Sequence, residues 1–209
     1  MTASFERELR AVLLAGGQSQ RLGRCKALID WQGQALIRHA LHQLQAAVMH
    51  PVTVVLGANA GEICDALDAT PALGPAPIIL VNNDWAEGMA SSLRAGILAI
   101  KDSAPAVLVA LVDQPLVSSS DYQKMIELWR QTGKPVAACY NGIQGAPAIF
   151  PRELFFKLLQ LHGDHGARHA LQSLVELQGV EIPNAALDID TPEDYRELLS
   201  RLAVLTKNE

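Results

Sequence analysis

The sequence predicts a three-layer α/β fold built on a mostly parallel sheet. Two patterns carry that expectation. Short, uninterrupted apolar runs rich in β-branched residues recur along the chain, and longer amphipathic stretches alternate with them, as in strands covered on both faces by crossover helices. The composition agrees: 209 residues, 49% apolar and 19% charged, are enough for one core without staples and predict a single domain over residues 1–209.

Taken in order, residues 11–15 read as the first strand and residues 35–49 as the first helix, where Leu36, Ala40, Leu44 and Ala47 recur at helical spacing. Residues 52–56 and 61–69 repeat the pair. Pro71, Gly74, Pro75 and Pro77 mark a loop before a strand at 78–81, followed by a helix at 90–101. The most apolar strand, 106–112, precedes a helix at 119–131 with Tyr122, Met125, Ile126 and Trp129 on one face and a serine N-cap at 118, 119 or 120. A strand at 136–139 ends this rhythm. Asn141-Gly142 and Gly145-Ala146-Pro147 then punctuate a turn-rich stretch before a short strand at 148–150. Helices are expected at 153–160 and 167–177, and a closing helix at 191–205 carries Pro192 in its first turn.

Several function classes are disfavoured. A net charge of −5 argues against nucleic-acid or membrane-surface partners, which ask for clustered Lys and Arg. The longest apolar run, 106–112, has seven residues against the ~20 of a spanning helix. Residues 1–10 carry Glu6, Arg7, Glu8 and Arg10 and do not read as a signal peptide. Cys25, Cys64 and Cys139 show no CxxC or Cys/His metal spacing, so reduced thiols in the cytoplasm are expected.

The chemistry concentrates at strand ends. Leu14-Ala15-Gly16-Gly17-Gln18-Ser19-Gln20-Arg21-Leu22-Gly23, then Lys26, follows the first strand, at the sheet edge where α/β proteins collect ligands. Adjacent glycines let backbone N–H groups approach phosphate oxygens, while Arg21 adds a planar fork and Lys26 a mobile point charge. The pattern is neither a P-loop nor a dinucleotide fingerprint, and a plain Gly-Gly turn with surface cations is the alternative. Asp113-Gln114-Pro115 ends the most apolar strand, where a carboxylate can serve Mg²⁺ or simply cap the next turn. Asp188 and Asp190 flank Ile189, so alternation puts both on one face, although Asp190 or Thr191 with Pro192 is also a good helix start. Ser91 and Ser92 open a helix, as anion contacts or as caps. His162, His165 and His169 cluster without an H-E-x-x-H pattern, and no G-x-S-x-G elbow supports a hydrolase triad.

Together these motifs resemble the molybdenum cofactor cytidylyltransferase family within the MobA-like NTP transferases. The resemblance rests on Leu14-Ala15-Gly16-Gly17-x-Ser19-x-Arg21-Leu22-Gly23-x-x-Lys26, on 88–96, on Asp113-Gln114-Pro115, on Asn141 to Pro147, on Gly163-Asp164-His165-Gly166-Ala167-Arg168 and on 188–194. It implies a Rossmann-like nucleotidyltransferase fold and transfer of CMP from CTP to molybdopterin, with pyrophosphate leaving. It further implies that Leu14, Ala15, Gly16, Gly17, Ser19, Arg21, Lys26, Ser91 and Ser92 bind nucleotide. Arg21, Lys26 and Asp113 are the implied catalytic groups, with Mg²⁺ on Asp113 and Asp190 and Asp188 in reserve. Asn141, Gly145, Pro147, Asp164 and Arg168 fall on the acceptor side, and a recipient molybdoenzyme is an implied partner. Two positions depart from the cytidylyl pattern: Gly16 is similar to the guanylyl branch, and Ala146 stands where a histidine is common. A related branch contains an NAD(P)H-dependent nicotine-blue-type oxidoreductase. Guanylyl transfer, another NTP transferase acting on a different phosphorylated acceptor, that oxidoreductase and a non-catalytic pterin carrier are therefore the competing expectations.

Overall fold

Seven strands in the order β5-β4-β1-β6-β8-β7-β9 make up the main sheet. The computed structural model describes residues 8–69, 74–164, 166–172, 174 and 176–205. In chain order the strands are β1 (Arg10–Ala15), β2 (Asp30–Trp31), β3 (Gln34–Ala35), β4 (Thr53–Leu56), β5 (Ile78–Val81), β6 (Ala106–Leu111), β7 (Val136–Tyr140), β8 (Ile143–Pro151) and β9 (Gln178–Glu181). The helices are α1 (Leu36–Gln45), α2 (Ala60–Asp68), α3 (Met89–Ile100), α4 (Ser119–Thr132), α5 (Phe155–Leu159), α6 (Ala167–Gln172) and α7 (Pro192–Leu205). β5, β4, β1 and β6 are mutually parallel, β7 is parallel to β9, and β8 lies antiparallel between β6 and β7. The predicted three-layer, mostly parallel architecture is the one observed.

Alternation along each strand divides two cores. Ala11, Leu13 and Ala15 of β1 join Leu108 and Ala110 of β6 beneath α1, α4 and α7, where Leu36, Leu44, Met125, Trp129 and Leu198 are buried. Val12 and Leu14, with Val107 and Val109, face the other way, onto Leu93 and Ile97 of α3, Phe155 and Leu158 of α5 and Leu171 of α6. Continuous apolar runs are therefore needed, because each face of the strand has its own helix layer. The serine N-cap is Ser118, in a reciprocal capping box with Asp121.

Some expectations are corrected. The run at 78–81 is not covered on both faces: β5 is an edge strand, and Ile78, Ile79 and Val81 are exposed. An apolar run reports strand character but not strand position. The first helix stops at Gln45, before 49, and the helix from Ala167 is described only to Gln172. The short strand at 148–150 is the centre of the nine-residue β8. The hairpin of β2 and β3 and the edge strand β9 had no forecast. Residues 1–7, of the segment read as lacking a signal peptide, and His165 lie outside the described residues. Among the described residues no helix is long and apolar enough to cross a membrane.

Candidate nucleotide site

The carboxyl ends of β1 and β6 open onto a cleft of about 720 Å³. Its floor is the loop after β1. Ser19 adopts a left-handed conformation, its oxygens accept the Leu22, Gly23 and Lys26 N–H groups, and the chain is folded back so that Lys26 returns to the strand ends. Lys26 Nζ then donates to Asp113 Oδ2 at 2.9 Å and to Asp190 Oδ1 at 2.7 Å, while Arg21 reaches Asp190 Oδ2 at 2.6 Å. The Lys26 side chain is only 12% exposed against 72% for Arg21, so water screens the lysine pairs far less. Burial alone would push the Lys26 ammonium down. The two carboxylates outweigh it and hold the pKa above the ordinary lysine value, which keeps the side chain cationic.

The carboxylates are placed from behind. Backbone Ile189 N–H donates to Asp113 O at 2.9 Å, and Ile189 is fully buried. Asp188 and Asp190 flank this buried anchor in a segment that forms no sheet strand, and only Asp190 lines the cleft. Buried His39 donates from Nε2 to Pro115 O at 2.8 Å, and burial pushes its pKa down, so the neutral ring braces the Asp113 turn. Gln114 Nε2 spans Ala146 O and Ala185 O, tying that turn to β8 and to the segment before Asp188. Partial burial, then the neighbouring Asp113 and Asp190 charges, pushes the Asp188 carboxyl up. Asp113 Oδ1 is buried without a partner.

Residues 11–178, which hold the glycine loop, Arg21, Lys26 and Asp113, match the MobA-like NTP transferase domain. The chain belongs to that family. It is 34% identical over 200 residues (90% of this chain, 95% of the relative) to nicotine blue oxidoreductase of Paenarthrobacter nicotinovorans. It is 29% identical over 201 residues (90% and 94%) to molybdenum cofactor guanylyltransferase of Pseudomonas aeruginosa strain LESB58. Among solved structures it is similar to Rv0371c of Mycobacterium tuberculosis H37Rv, with a TM-score of 0.77, 26% identity and coverage of 92% and 98%. As a MobA-like NTP transferase it is a nucleotidyltransferase.

The family's motifs do not all meet at one surface. Leu14, Ala15, Gly16, Gly17, Ser19, Arg21 and Lys26 line the cleft with Ser92, Asp113 and Asp190. Asp164 joins them, because Gly88 brings the 163–164 loop against α3: a Cβ on Gly88 would stand 2.6 Å from Asp164 Oδ1. Ser91 is buried behind the wall, bonded to Asn82 and Gly88. Asp188 stands beside the cleft. Asn141 lies in the exposed β7–β8 turn, Gly145 and Pro147 are buried in β8, and exposed Arg168 borders a separate depression with Gly142 and Gln144. Tyr140 connects the two areas. Its ring covers Gly145, burial pushes its pKa up, and it feels Arg168, Asp188 and Asp113 together.

Sequence reasoning assigned no role to Asn82, His39, Tyr140 or Trp85. A polar residue ending an apolar strand was the available signal for Asn82. The others carry none, since their roles arise from contacts across the fold. Among the described residues no three His, Cys, Asp or Glu side chains converge as a metal cage.

Proposed function

We propose that the chain transfers CMP from CTP to the terminal phosphate of molybdenum-bound molybdopterin, giving molybdopterin cytosine dinucleotide and pyrophosphate. The observation that supports it is Lys26 Nζ between Asp113 and Asp190 at the mouth of the Gly16-Gly17 loop. The acceptor phosphate is already anionic, so the protein needs no side-chain base; its work is positioning and charge neutralisation. Backbone N–H groups of the loop hold the triphosphate, and Arg21 and Lys26 offset charge on the α-phosphate and the departing pyrophosphate. The unpartnered Asp113 Oδ1 and an all-oxygen donor set fit Mg²⁺, with Asp113 and Asp190 as holders and Asp188 in reserve. Bound there, Mg²⁺ neutralises phosphate charge. Asn141, Gly145, Pro147, Asp164 and Arg168 serve the pterin side. The reading takes one domain, in the cytoplasm, delivering its product to a recipient molybdoenzyme. Cytosine rests on the Gly23-x-x-Lys26 spacing and the 163–168 motif.

Guanylyl transfer is the second reading. Gly16 favours it, as does likeness to a protein named guanylyltransferase. Pyrophosphate release is measured with Mg²⁺, molybdenum cofactor and each of CTP, GTP, ATP and UTP. Release with CTP alone is expected, and release with GTP alone moves the assignment to the guanylyl branch. Silence with all four, alongside NAD(P)H oxidation by a quinoid substrate, would overturn both in favour of the oxidoreductase that the 34% identical relative's name suggests.

A further inference from the structure

Asn82 follows β5, with its backbone N–H on Leu56 O at 2.8 Å, and the residue is only 6% exposed. Its Oδ1 accepts the Asp84 backbone N–H at 3.0 Å. A backbone N–H can only donate, so this bond fixes which way the amide faces. Both Nδ2 protons are then committed, to Ser91 Oγ at 2.8 Å and Ser92 Oγ at 3.1 Å. Each serine oxygen is a recipient and must send its own proton elsewhere. Ser91 gives its proton to Gly88 O at 2.9 Å. The Ser92 proton has no acceptor among the described residues, although Ser92 is buried in the cleft wall. The same Oγ stands 2.6 Å from the place a Cβ on Gly16 would take, so only glycine at 16 leaves the hydroxyl clear.

We propose that Asn82 is a positioning residue for the nucleotide: it commits the Ser92 hydroxyl as a donor to an unprotonated oxygen or nitrogen of the nucleoside. The assignment rests on the reading of the ligand as a nucleoside triphosphate. The cleft sorts its own contents. Arg21 and Lys26 draw the phosphates, which leaves the base and ribose to the uncharged wall of Trp85, Ala86 and Met89 that adjoins Ser92. A hydroxyl free to rotate can point its proton anywhere; one accepting from Asn82 has that lone pair filled and its proton turned away from the amide, toward the ligand side. The ligand therefore meets a hydroxyl whose proton is already oriented to be donated.

The test is a double-mutant cycle on the full chain, read by calorimetric binding of CTP and GTP and by the split between KM and kcat. In Asn82→Asp a carboxylate oxygen replaces Nδ2 and captures the Ser92 proton. Nucleotide affinity falls about tenfold, KM for the triphosphate rises in step, and kcat stays within about twofold. Ser92→Ala gives the same loss. In the Ser92→Ala background Asn82→Ala adds nothing further, because the amide acts through that hydroxyl. Thermal unfolding of each variant is followed alongside, and Asn82→Ala replaces Asn82→Asp if the buried carboxylate prevents folding. Additive losses, or parent-like affinity in a folded Asn82 variant, would overturn the assignment. A parent chain that binds neither triphosphate overturns the nucleotide reading and this assignment with it.

Discussion

The two sides of the main sheet hold their candidate site residues in different ways. On the parallel side, the end of β1 gives a loop of backbone N–H groups and the end of β6 gives Asp113. Lys26 and Asp190, 164 residues apart, close the set with an ion pair. On the β8–β7–β9 side, Gly145, Tyr140 and the Asn141-Gly142 turn are neighbours in sequence, and packing holds them, with Tyr140 lying where a Cβ on Gly145 would go. Under the proposed function, charge placed by long-range topology serves the phosphates and shape made by a local hairpin serves a flat acceptor. The difference teaches that nucleotide and acceptor affinity should be separable by mutation.

Asp113→Asn attacks the charged side and carries the largest expected effect. Turnover should fall by about 10²–10³-fold while thermal stability stays close to the parent. Near-normal Mg²⁺-dependent turnover in this variant would remove Asp113 from the chemistry. On the hairpin side, Gly145→Ala pushes against the Tyr140 ring. The KM of the pterin acceptor should rise about tenfold, with calorimetric CTP affinity unchanged. Equal weakening of both substrates would abolish the division between the two sides.

A smaller effect separates scaffold from site. In the capping box before α4, burial pushes the Asp121 carboxyl up, but hydrogen bonds from Ser118 and Lys124 pull it further, to below the ordinary aspartate value. A carboxyl lowered on folding stabilises above the unfolded value of about 4, and the benefit fades as pH falls through the lower folded value. Asp121→Asn should therefore cost about 1 kcal/mol at pH 7. Melting curves at pH 7 and pH 3 check this: the gap to the parent should narrow at pH 3 with turnover at pH 7 intact, and a gap that does not narrow in acid would show packing, not charge, to be the cause.

Much of this molecule was legible in its sequence. β1, β4 and β6 are buried on both faces, so burial itself writes them as continuous apolar runs. The order of the strands is not written there, and β5 carries the same run at an exposed edge. β9 is Gln178-Gly179-Val180-Glu181, short and half polar; it forms beside β7 because Gly179 leaves room for Cys139 Sγ, a contact with no local trace. Asn141 and Gly142, at φ 50° and 71°, make the two-residue hairpin turn that an Asn-Gly pair favours, and that pair would have allowed a longer β8. Within the site, glycines and strand-end carboxylates announce themselves through residue type. Asn82 does not, because its effect is the direction of another residue's proton.

The ion pairs around Lys26 bear on what entry of a ligand means. Two of the three ammonium protons are engaged by Asp113 and Asp190 before any nucleotide arrives, so a triphosphate does not fall into an empty positive well. It exchanges places with resident anions, and the free site acts as its own competitor. Affinity then measures a difference between two sets of oxygens around one nitrogen, and its salt dependence is shallower than the number of cations in the cleft would give. The compensation is kinetic: the lysine need not be found, only handed over.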